Sequence, residues 1–277
     1  MKVDLHMHSS ASDGIDAPGE LVALLKRTGI TDFALTDHDT LMGLPAAREA
    51  ANVYGLRMID GVELSCGIQV EVHILGYGMK RPELMQSTLA RLQRQRHERV
   101  DRMLERLDQA GIHLEVGDLP IASGGAPGRV HMARALVDHG YASSVNQAFQ
   151  RYLVPGKPGY VERQKLTPEQ GIQLIRESGG IAVLAHPGII QADPALLPER
   201  IDVLMKMGLG GIEVHHPRHT PTQIQRFTHL AKQRGLIITG GSDSHGLPGG
   251  LMPGEGTTNW HEMHHDYNQF LSKIGFN

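Results

Sequence analysis

The stretch MKVDLHMHSSASD, Met1 to Asp13, decides how the rest of the chain is read. His6 and His8 stand two apart, and residues i and i+2 of a strand share a face. Val3, Leu5 and Met7 fall on the opposite face, which suits a wall packed on a core. The segment therefore reads as a strand, apolar on one side, with two imidazoles side by side on the other. Asp13 follows in a loop past the strand end. Two histidines and a carboxylate converging at the C-terminal mouth of a strand outline a site for a first-row metal ion.

The same arrangement recurs along the chain. Asp32 to Thr36 is a short strand that runs into Asp37-His38-Asp39. Leu56 to Glu63 is a strand ending in GVELS. A turn at Ser65 to Gly67 leads to an alternating strand, Val70 to Tyr77, and the pair reads as a hairpin. In that second strand Glu71 and His73 share a face, while Val70, Val72 and Ile74 share the other. Further on, Ile181 to Ala185 ends at His186-Pro187, Gly211 to Val214 ends at His215-His216-Pro217, and Leu236 to Thr239 runs into GGSDSHG, holding Asp243 and His245.

Helical patterns separate these strands: Ala17 to Thr28, Gly43 to Tyr54, Pro168 to Glu177 with Thr167 as N-cap, Leu196 to Met207 and Gln223 to Arg234. About seven strands alternating with helices argue for a parallel α/β barrel-like sheet. Ligand-type residues fall repeatedly at strand C-terminal ends, where such barrels place their chemistry. The tail from Trp260 onward carries no readable pattern.

The alternation is interrupted once. A long polar helix from Pro82 to Ala110 carries an apolar stripe at Leu89, Leu92, Val100, Met103, Leu104 and Leu107. A loop of Gly, Pro and Ser follows between Pro120 and Gly128. Two shorter helices, Arg129 to Asp138 and Val145 to Tyr152, and a turn-rich segment, Val154 to Val161, complete the insert. The expected division is a barrel of residues 1–99 and 161–277 with a small, mainly helical inserted cap at 100–160. Charge follows it: Lys80 to Lys165 holds 14 Lys and Arg against 9 Asp and Glu, in a chain whose net charge is -3. An acidic body with a basic insert suits a metal site facing a phosphate-binding cap.

At 277 residues the chain can bury a full core. Its one cysteine, Cys66, excludes an intrachain disulfide and points to a reducing compartment. Ligand candidates from residue 6 leave no room for a cleavable leader, and no apolar run approaches the roughly 18 residues of a membrane span. The expectation is a soluble, cytoplasmic protein with no membrane association and no obligate protein partner.

Taken together, DLHMHSSASDG, TDHDT, GVELS with the following VHILGY, AHP and GSDSHG resemble the successive motifs of the polymerase and histidinol phosphatase (PHP) family, in the family's order. The resemblance covers essentially all of the chain outside the insert. It implies a distorted (β/α)7 barrel that holds metal ions for phosphoester hydrolysis. Carried over residue by residue, the family's ligands fall on His6, His8, Asp13, His38, Glu63, His73, His186, Asp243 and His245. All nine are ligand-type residues, which is the pattern of a three-metal member.

By the same resemblance one ion takes His6, His8, Glu63 and Asp243; a second takes Glu63, His73 and His186; a third takes Asp13, His38 and His245. Asp37 and Asp39 are expected to support or cap rather than ligate. Three divalent transition-metal ions are implied, manganese first, with iron or zinc also suited to nitrogen and oxygen donors. A hydroxide bridging two ions would be the nucleophile, and no protein side chain is expected to act catalytically beyond it, His216 being the candidate to touch substrate or protonate the leaving group.

The insert supplies candidate phosphate contacts. Arg129 and Arg134 lie near one helix N-terminus, where guanidinium forks and free backbone N–H groups both suit phosphate. Arg99 and Lys157 are further candidates. Within the family the N-terminal start, the GVELS motif and the Arg-bearing insert look most similar to the stand-alone bacterial branch, which includes phosphatases that remove the 3′-phosphate of adenosine 3′,5′-bisphosphate to leave AMP. A nucleotide is thus the expected substrate. The alternatives are a 5′→3′ exonuclease on short oligonucleotides, another phosphomonoesterase such as histidinol-phosphate phosphatase and, in a different class, a non-catalytic metal-binding module.

Overall fold

The fold is taken from a computed structural model that describes every residue except 1, 68–69, 122–124, 126, 191–193, 248–249, 256–263 and 277. Part of the loop expected at Pro120 to Gly128, and Trp260 with His261, therefore lie outside the described residues.

Among the described residues seven strands form one sheet in chain order: β1 (Val3–Asp4), β2 (Asp32–Leu35), β3 (Arg57–Gly67), β4 (Glu71–Tyr77), β5 (Ile181–Leu184), β6 (Gly211–His215) and β7 (Ile237–Gly240). All neighbours are parallel except β4, which is antiparallel to both β3 and β5. Runs such as IAVL in β5 are apolar almost throughout, as strands covered on both faces require. The inverted β4 is what distorts the barrel.

The sheet nearly closes on itself. The Leu5 N–H donates to the Gly240 carbonyl at 3.2 Å, and the Asp243 N–H donates to the His6 carbonyl at 2.8 Å. Met7 makes a parallel bridge to Ser244. A Cβ on Gly241 would lie 2.3 Å from the His6 Cβ, so the second glycine of GGSDSHG is what lets the two ends meet.

Regular pairing of the first strand stops at Asp4, short of the strand expected through His8. Beyond Asp4 the chain takes one partner from each side: the Thr36 N–H donates to the Met7 carbonyl at 3.0 Å while the His8 N–H donates to the Ser244 carbonyl at 2.9 Å. The expected alternation survives this. Val3, Leu5 and Met7 are fully buried, and the His6 and His8 rings lie 5.3 Å apart.

In the hairpin, the expected turn at Ser65 to Gly67 is strand instead. Ser65 pairs with His73 and Gly67 with Glu71, and Cys66 bridges Leu166 on the other edge, so pairing on both sides extends β3.

The helices are α1 (Pro18–Thr28), α2 (Leu44–Tyr54), α3 (Gln86–Gln109), α4 (Arg129–Asp138), α5 (Val145–Ala148), α6 (Pro168–Glu177), α7 (Leu197–Met207), α8 (Pro221–Arg234) and α9 (His264–Ile274). Thr167 caps α6 as expected: its Oγ1 accepts from the Gln170 N–H at 3.1 Å, and Gln170 Oε1 accepts from the Thr167 N–H at 2.9 Å. The helix expected at Val145 to Tyr152 splits into α5 and a π-helical turn, Phe149–Leu153. The unreadable tail is helix α9, whose Tyr267, Phe270, Leu271 and Ile274 bury against the barrel.

Two separate apolar clusters meet along α3. Leu89 and Leu92 pack with the barrel strands, whereas Val100, Met103, Leu104 and Leu107 pack with Met132, Leu136, Leu153 and Val161 of the insert. No helix among the described residues is long and apolar enough to cross a membrane.

Candidate metal centre

Strand C-termini and the turns behind them bring the nine sequence-derived ligand candidates to one mouth of the barrel. Donor atoms of His6, His8, Glu63 and Asp243 lie within 4.8 Å of one another, as do those of His8, Asp13, His38 and His245, and those of His38, Glu63 and His73. His186 joins them through Glu63, its Nε2 standing 3.1 Å from Oε1, the oxygen that also lies 2.8 Å from His73 Nδ1. Glu63 thus sits at the middle of the cluster and is fully buried.

The donors fit cations. His6 Nε2, both nitrogens of His8, His38 Nδ1 and Glu63 Oε2 are buried without a hydrogen bond. They nevertheless stand close: 3.3 Å for His6 Nε2 to Glu63 Oε2, 3.2 Å for His8 Nε2 to Asp243 Oδ1 and 3.1 Å for His38 Nδ1 to Glu63 Oε2. Two ligands at about 2.1 Å from one ion in a tetrahedral arrangement are about 3.4 Å apart. Buried polar atoms left unpaired are costly, so this packing calls for positive charge among the lone pairs.

Electrostatics agree. Burial disfavours a charged His8, yet Asp243 and Glu63 override it and raise its pKa to about 10. Burial pushes His38 down to about 3, despite Glu63 and Asp13. Against burial, the imidazoles around Glu63 and Asp243 hold both carboxyls well below the usual range. Protons alone serve this cluster unevenly, favoured on His6, His8, His73 and His245 and disfavoured on His38 among them.

A supporting layer holds the donors. Glu213 is fully buried; its Oε1 lies 2.9 Å from His6 Nδ1, and its Oε2 accepts from the His186 N–H at 2.7 Å. Asp37 accepts from the Ser9 N–H (2.8 Å), Ser9 Oγ (2.7 Å) and Ser12 Oγ (2.6 Å), and so fixes the loop between His8 and Asp13. Asp39 accepts from Arg96 Nη2 at 2.6 Å and from Arg163, while its Oδ1 takes the Ser65 N–H at 3.0 Å. One carboxylate therefore ties both chain crossings of the insert to the barrel. Asp39, His186 and Asp243 have positive φ of 53°, 28° and 53°, so three non-glycine residues at this mouth hold backbone that their surroundings must impose.

Sequence reading missed Glu213, Arg96 and Arg163. Glu213 had a usable signal: it is the lone acid inside the buried strand GIEVH. The arginines had none, because their partner lies on another element.

The candidate substrate contacts scatter more widely. His216 is buried with Nε2 3.4 Å from Asp243 Oδ2. Arg129 is half-buried, 3.6 Å from Glu71, which is itself 3.6 Å from His73. Arg134 is half-buried on the same helix. Arg99 is buried and donates from Nε to the Val161 carbonyl at 2.7 Å. With Arg102 and Arg163 it lines a cavity of about 180 Å³. Lys157 is exposed in a turn.

The fold and this mouth define a metal-dependent phosphohydrolase. The chain belongs to the PHP family, whose domain it matches over residues 4–153. It is 38% identical over 247 residues to the 5′-3′ exoribonuclease Rnm of Salmonella typhimurium, covering 87% of this chain and 84% of that protein. It is 36% identical over 264 residues to a 3′,5′-nucleoside bisphosphate phosphatase of Chromobacterium violaceum, covering 92% and 88%. Among solved structures it is similar to an amidohydrolase from Chromobacterium violaceum with bound sulfate and no metal, at 32% identity and a TM-score of 0.85, covering 96% and 97% of the two chains.

Proposed function

We propose that the protein removes the 3′-phosphate from nucleoside 3′,5′-bisphosphates, taking adenosine 3′,5′-bisphosphate to AMP and phosphate. The observation that carries this reading is the cationic insert helix set against the metal centre, with Arg129 only the Glu71 carboxylate away from His73. A bisphosphate needs both, a hard-cation pocket for the ester that breaks and a separate anion holder for the phosphate that stays.

His6, His8, Glu63 and Asp243 would hold one ion, Glu63, His73 and His186 a second, and Asp13, His38 and His245 a third. Manganese suits this nitrogen and oxygen donor set. Bound there, such ions would supply Lewis acidity that activates water and polarises a phosphoryl oxygen. The chain's own work is placement. Glu213 aims His6 and fixes the backbone of His186, Asp37 shapes the Ser9 to Asp13 loop, and Asp39 holds the insert at 100–160 over the mouth as a cap. Arg129 and Arg134 bind the retained phosphate, and His216, buried beside Asp243, lines the wall. The lone, buried Cys66 fits a cytoplasmic protein.

A second reading is a 5′→3′ exonuclease on short oligonucleotides. The cavity lined by Arg99, Arg102 and Arg163, together with Glu98 and Glu162, offers a second polar recess in which such a chain could be held. Steady-state kinetics with manganese on adenosine 3′,5′-bisphosphate, AMP, a short oligonucleotide and histidinol phosphate separate the readings. The bisphosphate is expected to give the highest kcat/KM; an oligonucleotide that outcompetes it would replace the first reading with the second.

A further inference from the structure

His186 opens the short turn Pro187–Ile189 with φ 28° and ψ 57°. Its Nε2 faces Glu63, but its Nδ1 is buried with no hydrogen bond. His6 and His245 differ, since their Nδ1 atoms lie 2.9 Å from Glu213 Oε1 and 2.9 Å from the Asp243 carbonyl oxygen. A ligating imidazole is ordinarily aimed by a partner on its other nitrogen. His186 has none there, so its direction has to come from its backbone.

That backbone is gripped two residues further on. The Gly188 N–H donates to His219 Nε2 at 3.1 Å, and the Gly188 carbonyl accepts from Gln223 Nε2 at 3.2 Å. A Cβ on Gly188 would lie 2.6 Å from His219 Cδ2 and 2.9 Å from Gln223 Nε2, so only glycine lets the two side chains come this close. Both holders are themselves fixed. Because His219 Nε2 accepts, the ring proton is on Nδ1, which donates to the Val214 carbonyl in β6 at 2.8 Å. The ring is buried between His216 and Phe227, with centroids 5.2 and 5.0 Å away. Burial lowers its pKa, which keeps the ring neutral and Nε2 an acceptor. Gln223 turns its other amide atom to the start of α8, where Oε1 accepts from the Thr220 N–H at 2.8 Å.

We propose that His219 and Gln223 are positioning residues for the metal centre: by clamping Gly188 they set the angle at which His186 presents Nε2 beside Glu63, and with it the retention of the ion assigned to Glu63, His73 and His186. This rests on the metal-ion assignment proposed above. The competing role is purely structural, a cap that seats α8 on the barrel.

Three substitutions separate the roles. Gln223→Glu keeps an oxygen for the Thr220 N–H, so the helix cap stays, but it sets a carboxylate oxygen against the Gly188 carbonyl. His219→Asn keeps a donor at the Nδ1 position for Val214 and offers nothing at the Nε2 position. His219→Gln does the reverse, returning an acceptor to Gly188 and losing the Val214 bond. The readouts are the manganese retained per chain after dialysis against graded chelator, by elemental analysis, the Tm of the metal-free protein, and kcat and KM for adenosine 3′,5′-bisphosphate.

Gln223→Glu and His219→Asn are each expected to release one ion at a chelator concentration about 10- to 100-fold below that needed for wild type, the cost of losing a ligand's support. Their kcat is expected to fall with KM unchanged, and the metal-free Tm of Gln223→Glu to stay near wild type. His219→Gln is expected to hold the ion as wild type does, at a lower metal-free Tm. Wild-type chelator resistance in both Gln223→Glu and His219→Asn overturns the proposal, as does a His219→Gln that loses the ion as readily as His219→Asn. Should His219→Asn not fold, Gln223→Glu decides alone, because its cap is intact. A wild-type protein that holds no manganese fails the metal-ion assignment and the clamp with it, whereas wild type and variants that hold it equally fail the clamp alone.

Discussion

The barrel mouth and the insert are built on opposite plans. At the mouth nearly every polar side chain is buried and bound from more than one direction, as Glu63 is among His6, His8, His38, His73 and His186. In the insert a small apolar cluster of its own supports a surface whose cations are half-exposed and sparsely paired, as Arg134 is. A shell gripped on every side fixes geometry, which bond breaking needs. A cationic face outside that shell can bind an anion without disturbing the geometry of the donors. The contrast sharpens the proposal above: it assigns reaction type to the barrel and substrate choice to the insert.

The strongest way to break the contrast is Glu63→Gln. It removes charge at the centre of the cluster and is expected to cut kcat by about a thousandfold on every phosphoester, with elemental analysis showing fewer than the wild-type number of bound ions. A selective loss on bisphosphates alone would refute the assignment of chemistry to the barrel.

Glu213→Gln comes next. It leaves the shape intact but weakens the grip on His6 and on the His186 backbone, and metal affinity measured by chelator competition is expected to fall about 10- to 100-fold.

Asp39→Asn tests the joint between the two regions. It leaves the buried guanidinium of Arg96, and that of Arg163, short of their carboxylate, with an expected stability loss of about 3–5 kcal/mol in denaturant titration. KM for a bisphosphate should rise while KM for a simple aryl phosphate changes little.

The gentlest probe is Arg134→Ala, expected to raise KM for adenosine 3′,5′-bisphosphate about tenfold through loss of one charge-assisted contact, with the aryl phosphate unaffected. Equal effects on both substrates would move Arg134 out of the substrate site.

The barrel was legible in the sequence because ligand candidates such as His38, His186 and Asp243 sit just past an apolar run, where strand polarity predicts convergence. Val3, Leu5 and Met7 against His6 and His8 show that a two-residue period survives even where regular pairing lapses after Asp4. Contacts between distant segments were not legible. Arg96 and Arg163 carry no local signal in the sequence, and only the fold sets Asp39 between them. Glu213 pairs with a histidine 207 positions away, and no local pattern encodes that. The α9 helix was missed because its apolar stripe at Tyr267, Phe270, Leu271 and Ile274 is preceded by a run of histidines with no cap signal.

The seam between residues 5–8 and 240–244 has a bearing on synthesis. His6 and His8 leave the ribosome well before Asp243 and His245, and a cation gripped by both pairs would act as a clasp on the ring. Until β7 docks, the first pair has only part of its neighbouring donors, so the growing chain carries no finished pocket. Loading with ions and shutting of the ring then become one linked equilibrium, and chelation should loosen the seam between the two ends of the sheet before it disturbs the helical insert.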